Sequence, residues 1–467
     1  MENESSRSRP LHVLALPYPG LGHINPLLQF CKRLAHSYGI KATLATTVQL
    51  FKINPKLPAS SSVQLDTISD GYDNGGVAEA ETIEAYQAKL ETQGSKTLAE
   101  LITRHNSSDH PIDCIIYDSF LPWALDVAKQ FGITGAVFFT QACTASYIFY
   151  CVHHGVLKLP LSPSSFPISV EGLQKLGPQD MPSYVSDVES YPAYREMLLN
   201  EFSNAHQAHI VLVNTVYELE KEVVDSMSKV FPMLTIGPTI PSIYSDKRIK
   251  DDKNYSFNIY PSDSSIQIWL NNKPPRSVVY VSVGSWVYLS NKEMEELALG
   301  LKATNFYFLW VVRASDEAKL PENFAKETSE KGLIVKWSPQ MEVLSNEAVG
   351  CFVTHCGWNS IMEALCLGVP MVGIPQLTDQ PTDAKIVSEF WKVGVRAKAD
   401  ENGIVGRQEV EFCIREVMSE GERGGEMKKN AQKWRKVAIE AICEGGSSDK
   451  NIDQFVSKLK MRSCANI

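Results

Sequence analysis

The stretch GCFVTHCGWNSIMEALCL, Gly350 to Leu367, holds the grammar of the whole chain. Cys351-Phe352-Val353 is an unalternated apolar run, the pattern of a strand buried on both faces of a sheet. Gly350 to Thr354 therefore reads as a strand. It runs into a glycine turn and then into Ser360 to Leu367, whose apolar spacing is helical. A buried strand that feeds a helix through such a turn is half of a βαβ unit, and stacked units of this kind make an α/β protein with parallel sheets.

The same unit recurs in both directions from there. Upstream, Ser277–Val283 predicts a strand, Lys292–Ala303 a helix, and Phe306–Val312 and Leu333–Lys336 two further strands. In the first half, strands are expected at His12–Pro17, Lys41–Thr47, Val63–Ile68, Asp113–Tyr117 and Thr134–Thr140, with helices at Ile24–Ser37, Thr82–His105 and Trp123–Phe131. Between Ser245 and Ser264 the pattern breaks into a charge-rich run, Asp246 to Lys253, which reads as a linker between two similar halves. The expected division is residues 1–245, a linker at 246–262, a second unit at 263–447, and a terminal segment at 448–467 in which Lys450 to Lys460 is an amphipathic helix. Two such halves imply a cleft, and open α/β sheets bind ligands outside the carboxyl ends of their strands.

Composition limits what can enter that cleft. The 467 residues are 44% hydrophobic and 21% charged, an ordinary folded composition. Lys and Arg number 45 against 54 Asp and Glu, a net charge of −9, with no basic stripe, so nucleic acid is not an expected partner. No apolar stretch approaches the roughly 20 residues that span a bilayer. The polar first ten residues lack a signal-type apolar core, which points to a cytoplasmic protein. Ten cysteines without a Cys-x-x-Cys pair read as buried thiols.

Two segments hold the chemistry. Gly20-Leu21-Gly22-His23-Ile24-Asn25 falls where the first strand meets the first helix, but the third glycine of a dinucleotide fingerprint is replaced by Asn25. No acid occurs between Ser5 and Gln64 to hold a ribose, so a nicotinamide site is not expected. His23 stands at a helix N-terminus, where the dipole disfavours a protonated ring, and the Asp113–Tyr117 strand delivers Asp118 to the same sheet edge. The pair suits a general base and its orienting acid. On spacing alone it competes with a solvated loop histidine and with Asp118 as a helix cap. Thr354 to Ser360 puts a second helix N-terminus at the cleft, an anion cradle with His355, Asn359 and Ser360 as added donors, or else a helix capped by Asn359 or Ser360. No Asp-x-Asp pair and no His/Glu constellation has metal spacing, so no metal is expected.

Trp337 to Gln380, beginning WSPQMEVLSNEAVGCFVTHCGWNS and ending PQLTDQ, resembles the 44-residue signature of plant UDP-sugar-dependent glycosyltransferases that act on small molecules. Gly22-His23-Ile24-Asn25-Pro26, Tyr117-Asp118-Ser119, Phe138 to Ala142 and the EGGSSDKNI segment near the end extend that resemblance over nearly the whole chain. The subgroup it is most similar to glucosylates carboxylic acids, phenolics, terpenoids and steroids. The resemblance implies a GT-B fold of two Rossmann-like domains, the first for the acceptor and the second for the nucleotide sugar, with the last helix crossing back to the first domain. By the same resemblance Trp337 stacks on uracil, Ser338 and Gln340 hold the uridine, and Glu363 accepts from ribose. His355, Asn359, Ser360 and Ser285 hold the pyrophosphate, while Asp379 and Gln380 bind sugar hydroxyls beside Trp358 and Thr140. Gln380 goes with glucose, so UDP-glucose is the implied donor. His23 becomes the base of an inverting transfer and Asp118 its stabiliser.

Leu21, Asn346 and Leu377 depart from the family pattern, where Gln, His and Trp are usual. Asn346 belongs away from the sugar end. Leu21 and Leu377 are both expected at the cleft, giving a roomier apolar acceptor pocket suited to a steroid or triterpenoid. Phe120, Trp123, Tyr147, Phe149, Met197 and Leu198 are candidate walls, each of which also reads as ordinary core. The expected protein is a monomeric glucosyltransferase of lipophilic hydroxyls. Glucose-ester formation on a small acid or transfer to a phenolic, and a two-domain binding protein without chemistry, are the other readings.

Overall fold

The computed structural model describes residues 9–55, 57, 62–250, 252, 255, 264–285 and 287–465. Its first half is a parallel sheet of β1 (His12–Leu16), β2 (Lys41–Thr47), β3 (Val63–Ile68), β4 (Cys114–Asp118), β5 (Thr134–Phe139), β6 (Ile210–Val213) and β7 (Leu234–Thr235). Their order across the sheet is β3-β2-β1-β4-β5-β6-β7. The second half repeats it with β8 (Val278–Ser282), β9 (Tyr307–Val311), β10 (Gly332–Val335), β11 (Val349–Thr354), β12 (Met371–Gly373) and β13 (Gly394–Arg396), in the order β10-β9-β8-β11-β12-β13. Every residue of β1, β4, β5, β8 and β11 is buried, because helices cover both faces. The fold is α/β with two Rossmann-like sheets, as the sequence pattern implies.

In each sheet the strand order reverses beside the first strand, between β1 and β4 and between β8 and β11. Such a reversal leaves a crevice at the strand ends. Into the first crevice run the loop after β1 and the end of β4; into the second run the loops after β8 and β11. These are the segments that contain His23, Asp118, Ser285 and His355.

The halves are tied at several points. The terminal helix, Ser447–Ala465, packs Ile452, Phe455, Val456 and Leu459 into the apolar layer of the first sheet, with the Phe455 ring 5.5 Å from that of Phe30. The charge-rich run is clasped between elements: Asp246 pairs with Arg33 at 2.8 Å, Arg248 with Asp449 at 2.8 Å, and Asp252 with Lys32 at 2.6 Å. Asp180 of the first half meets Lys385 at 2.7 Å and Arg396 at 3.0 Å in the second. Nine described cysteines are free thiols, eight of them buried. Among the described residues no helix is long and apolar enough to cross a membrane.

Candidate active site

The crevices of the two sheets open into one cleft of about 460 Å³ lined from both halves. On the first side the helix Leu21–Tyr38 starts immediately after the Pro19-Gly20 turn, so His23 sits in its first turn and faces the cleft. Its Nδ1 lies 2.8 Å from Oδ2 of Asp118, whose side chain has no solvent exposure. The other Asp118 oxygen accepts the Phe120 backbone N–H at 3.0 Å, which fixes the carboxylate plane toward the ring. Thr140 Oγ1 approaches the same Nδ1 at 3.2 Å. Nε2 has no hydrogen-bond partner among the described residues and is the ring nitrogen open to a substrate. Tyr18 and Phe120 flank the imidazole, with centroids 5.4 and 4.7 Å away.

On the second side the Trp358–Leu367 helix begins at Gly357 with no side-chain cap, so neither Asn359 nor Ser360 closes it. Its first N–H groups are left for an anion, together with the positive end of the helix dipole. Gly284 adopts φ +76°, and a Cβ there would lie 2.7 Å from the His355 ring; one on Gly357 would lie 2.5 Å from His355 Nε2. Two loops thus approach the imidazole more closely than side chains would allow. Burial pushes the His355 ring down to about 4, so it meets an anion as a neutral hydrogen-bond donor near pH 7.

A sequence feature in the first half and one in the second meet across the cleft. Pro26 lacks an N–H, which leaves the carbonyl four residues earlier, that of Gly22, without its helical partner. Asn359 Nδ2 donates to that oxygen at 2.6 Å. The residue beside His23 is thereby fixed to the N-terminus of the anion-facing helix.

The second half lines the cleft with a connected polar network. Gln340 Nε2 donates to Ser360 Oγ at 2.9 Å and to Glu363 Oε2 at 2.6 Å, and the Tyr255 hydroxyl donates to Glu363 Oε1 at 2.7 Å. Burial raises the Glu363 carboxyl to about 7, a rise that those hydrogen bonds partly oppose. Tyr280 joins Ser338 Oγ at 2.9 Å. Trp337 lines the cleft, as does Ser285, whose carbonyl accepts from Arg313 Nη1 at 2.9 Å. Trp358 borders the cleft while its indole is buried, donating from Nε1 to the Asn214 carbonyl at 2.7 Å. Asp379 and Gln380 border it at the start of the Gln380–Lys385 helix; Gln380 Oε1 accepts from the Gln376 and Leu377 backbones at 2.9 and 3.0 Å. Desolvation raises the Asp379 carboxyl above its ordinary value.

Of the acceptor candidates, Leu21, Phe120, Met197 and Leu198 line the cleft. Trp123, Tyr147, Phe149 and Leu377 do not, and that expectation is corrected. Trp123 packs against Gly94 of the Ile83–Asn106 helix, where an added Cβ would lie 2.8 Å from its ring. Tyr147 stacks on Tyr150 and Phe149 is fully enclosed, both in the core beneath the sheet. Leu377 belongs to the loop that Gln380 ties down, so only Leu21 of the two aliphatic departures bears on the pocket. Asn346 bonds Asn271 at 2.9 Å, outside the cleft. Sequence reasoning missed Tyr184 and Tyr194, stacked at 5.8 Å, and Asn214 in the first half, and Tyr255 and Tyr280 toward the second. Asn214 directly follows β6, and reading IVLV at 210–213 as a strand would have placed it at the sheet edge.

The family model described as "UDP-glucoronosyl and UDP-glucosyl transferase" matches residues 253–431. The chain is 53% identical to "UDP-glycosyltransferase 74F2" of Arabidopsis thaliana, over 97% of this chain and 99% of that one. It is 49% identical to "Flavonol 7-O-beta-glucosyltransferase UGT74F1" of the same plant, over 97% and 99%. Among solved structures, Os79 from O. sativa in complex with UDP aligns with a TM-score of 0.91 at 40% identity, covering 96% of this chain and all of that one. The same rice protein, in complex with U2F and trichothecene, aligns with a TM-score of 0.88 at 40% identity over 96% and 100% of the two chains.

Proposed function

This chain belongs to the plant UDP-glycosyltransferases and is a UDP-glucose-dependent enzyme of that family, and from that premise we propose that it transfers glucose with inversion to a hydroxyl of a polycyclic lipophilic acceptor. The observation that carries the reading is the His23–Asp118 pair, 2.8 Å apart, across one cleft from an uncapped helix N-terminus.

In this mechanism His23 Nε2 takes the proton of the acceptor hydroxyl as its oxygen attacks the anomeric carbon. The bond from that carbon to the β-phosphate oxygen breaks on the opposite face, and the electron pair leaves with UDP. Inversion of the α-linked donor gives a β-glucoside. Asp118 stabilises the imidazolium that forms, and its bond to Nδ1 keeps that nitrogen protonated and Nε2 basic beforehand. The charge developing on UDP meets the Trp358–Leu367 dipole, the free N–H groups, neutral His355 and Ser360. Trp337 stacks on uracil, Ser338 and Gln340 hold the base, Glu363 accepts from ribose, and Asp379, Gln380 and Thr140 contact glucose. No step calls for a metal.

The acceptor side supports a bulky ring system of the steroid and triterpenoid kind. Phe120, Tyr184, Tyr194, Met197, Leu198 and Leu21 give it flat and aliphatic walls. The Lys and Arg side chains that line the cleft, Arg313 and Lys336, belong to the second half, so a small carboxylate on the first side would go unpaired. UDP release from UDP-glucose with EDTA present, against steroid, flavonol and benzoate acceptors, tests both parts. Release with the polycyclic acceptors and little with benzoate is expected. Preference for benzoate overturns the acceptor reading, and dependence on added metal overturns the mechanism.

A further inference from the structure

Asp383 is fully enclosed, and neither carboxyl oxygen receives a hydrogen bond from any described donor. What faces it is the carboxyl of Asp379, one helical turn earlier. Glu220 approaches from the segment before the Lys221–Ser228 helix, and the Cys356 thiol from the loop after β11. Lys385, two residues on, and Arg396, which also reaches the Pro381 carbonyl, both bind Asp180.

The donors are unequally shared among the three acids. Glu220 takes four hydrogen bonds, from the Cys143 and Thr144 backbones and from the Thr144 and Thr215 hydroxyls, at 2.6 to 2.9 Å. Asp379 takes one from Thr378 Oγ1 at 2.6 Å. Asp383 takes none. Two enclosed carboxylates one helical turn apart cannot both ionise without large repulsion, and the one without donors retains the proton. Burial and the neighbouring acids raise Asp383 well above the carboxylate range.

We propose that Asp383 is a positioning residue for the donor sugar, holding the Asp379 carboxylate through a carboxyl–carboxylate hydrogen bond in which Asp383 supplies the proton. One Asp379 oxygen is then turned inward, and the remaining lone pairs are presented to glucose hydroxyls. The inference rests on Asp379 being a sugar contact. It adds a dependence of sugar recognition on a proton that neither donor nor acceptor carries: when Asp383 ionises, repulsion displaces Asp379 and glucose is held less well.

The test is the ratio of the dissociation constants of UDP-glucose and UDP, measured calorimetrically on the full-length protein without acceptor from about pH 7 to about pH 10. Contacts to uracil and ribose cancel in that ratio, and the additional ionisation of the terminal phosphate of UDP, with a pKa of about 6, is largely complete over this range. In the wild type it is expected to rise at alkaline pH. Asp383→Asn keeps a donor that cannot ionise, so its ratio stays level, whereas Asp383→Leu shows a ratio raised about tenfold or more at every pH. Matching pH profiles for wild type and Asp383→Asn overturn the proposal, as does a ratio for Asp383→Asn raised at neutral pH as far as that of Asp383→Leu. Asp379→Ala separates the two levels of the argument: a ratio unchanged by that substitution removes Asp379 from the sugar site and takes this inference with it.

Discussion

Replacing Asp118 by Asn makes a demanding test of the dyad, because the side chain keeps its shape and only its donor and acceptor sense changes. In the native site Oδ1 accepts from the Phe120 N–H and Oδ2 faces His23 Nδ1 at 2.8 Å. Phe120 fixes the outcome: the oxygen of the introduced amide must take the backbone N–H, so its NH2 group faces Nδ1. Nδ1 then becomes an acceptor and the neutral ring carries its proton on Nε2, where it cannot take one from a hydroxyl. A hydrogen bond to a charged partner contributes about 1.5–3 kcal/mol. Its loss from the transition state alone lowers kcat about ten- to a hundredfold, and the wrong tautomer adds to that. Asp118→Ala removes the charge without enforcing a tautomer, and the Thr140 hydroxyl 3.2 Å away can still accept from Nδ1. The expected order of kcat is therefore wild type, then Asp118→Ala, then Asp118→Asn, with the dissociation constant of UDP within about twofold in all three. Single-turnover glucose transfer at saturating UDP-glucose measures it. An Asp118→Asn enzyme with wild-type kcat refutes the role given to His23 as base.

Glu363 near 7 should make donor binding pH-dependent, since only the ionised carboxylate accepts two ribose hydroxyls. Affinity for UDP-glucose is expected to fall as pH drops from about 8 to about 6, and Glu363→Gln to flatten that limb, as titration calorimetry would read. Trp337→Ala should weaken UDP by about five- to a hundredfold, the range for a base stacked on an aromatic ring, and an unchanged affinity would place uracil elsewhere. Leu21→Gln puts an amide into the acceptor wall and should lower kcat/KM for a steroid more than for a small phenol. Equal losses for both would remove Leu21 from specificity.

Most of the α/β architecture was legible because fully buried strands leave a strong mark: runs such as CIIYD and VGCFVT admit no polar residue until the strand ends. The short strands β7, β12 and β13, of two or three residues, leave none, since their pairing comes from neighbours in the sheet. The His23–Asp118 pair and the helix start at Thr354 to Ser360 stand at strand ends, where spacing raised them beside a solvated histidine and plain helix caps, and the family resemblance chose between those readings. The acceptor wall was harder. Trp123, Tyr147 and Phe149 look like pocket residues in a list of aromatics, yet helix orientation turns them into the core. Tyr184 and Tyr194 come from an irregular stretch with short helices and no period to read. Tyr255 stands just beyond the charge-rich run, in the expected linker, where nothing in its neighbours announces a partner for Glu363. Leu377 shows the remaining difficulty: being two residues from Asp379 does not put a side chain in the same cleft when Gln380 folds the loop back on itself.

The proposed transfer is an in-line displacement in which His23 deprotonates the acceptor and UDP departs from the opposite face. The anomeric proton coupling of the glucoside formed from UDP-glucose, read by NMR during turnover, tests it most directly. The large coupling of a β-glucoside is expected in the first product; an α-glucoside would mean retention, and with it a covalent or front-face route that this arrangement of His23 and Asp118 does not provide.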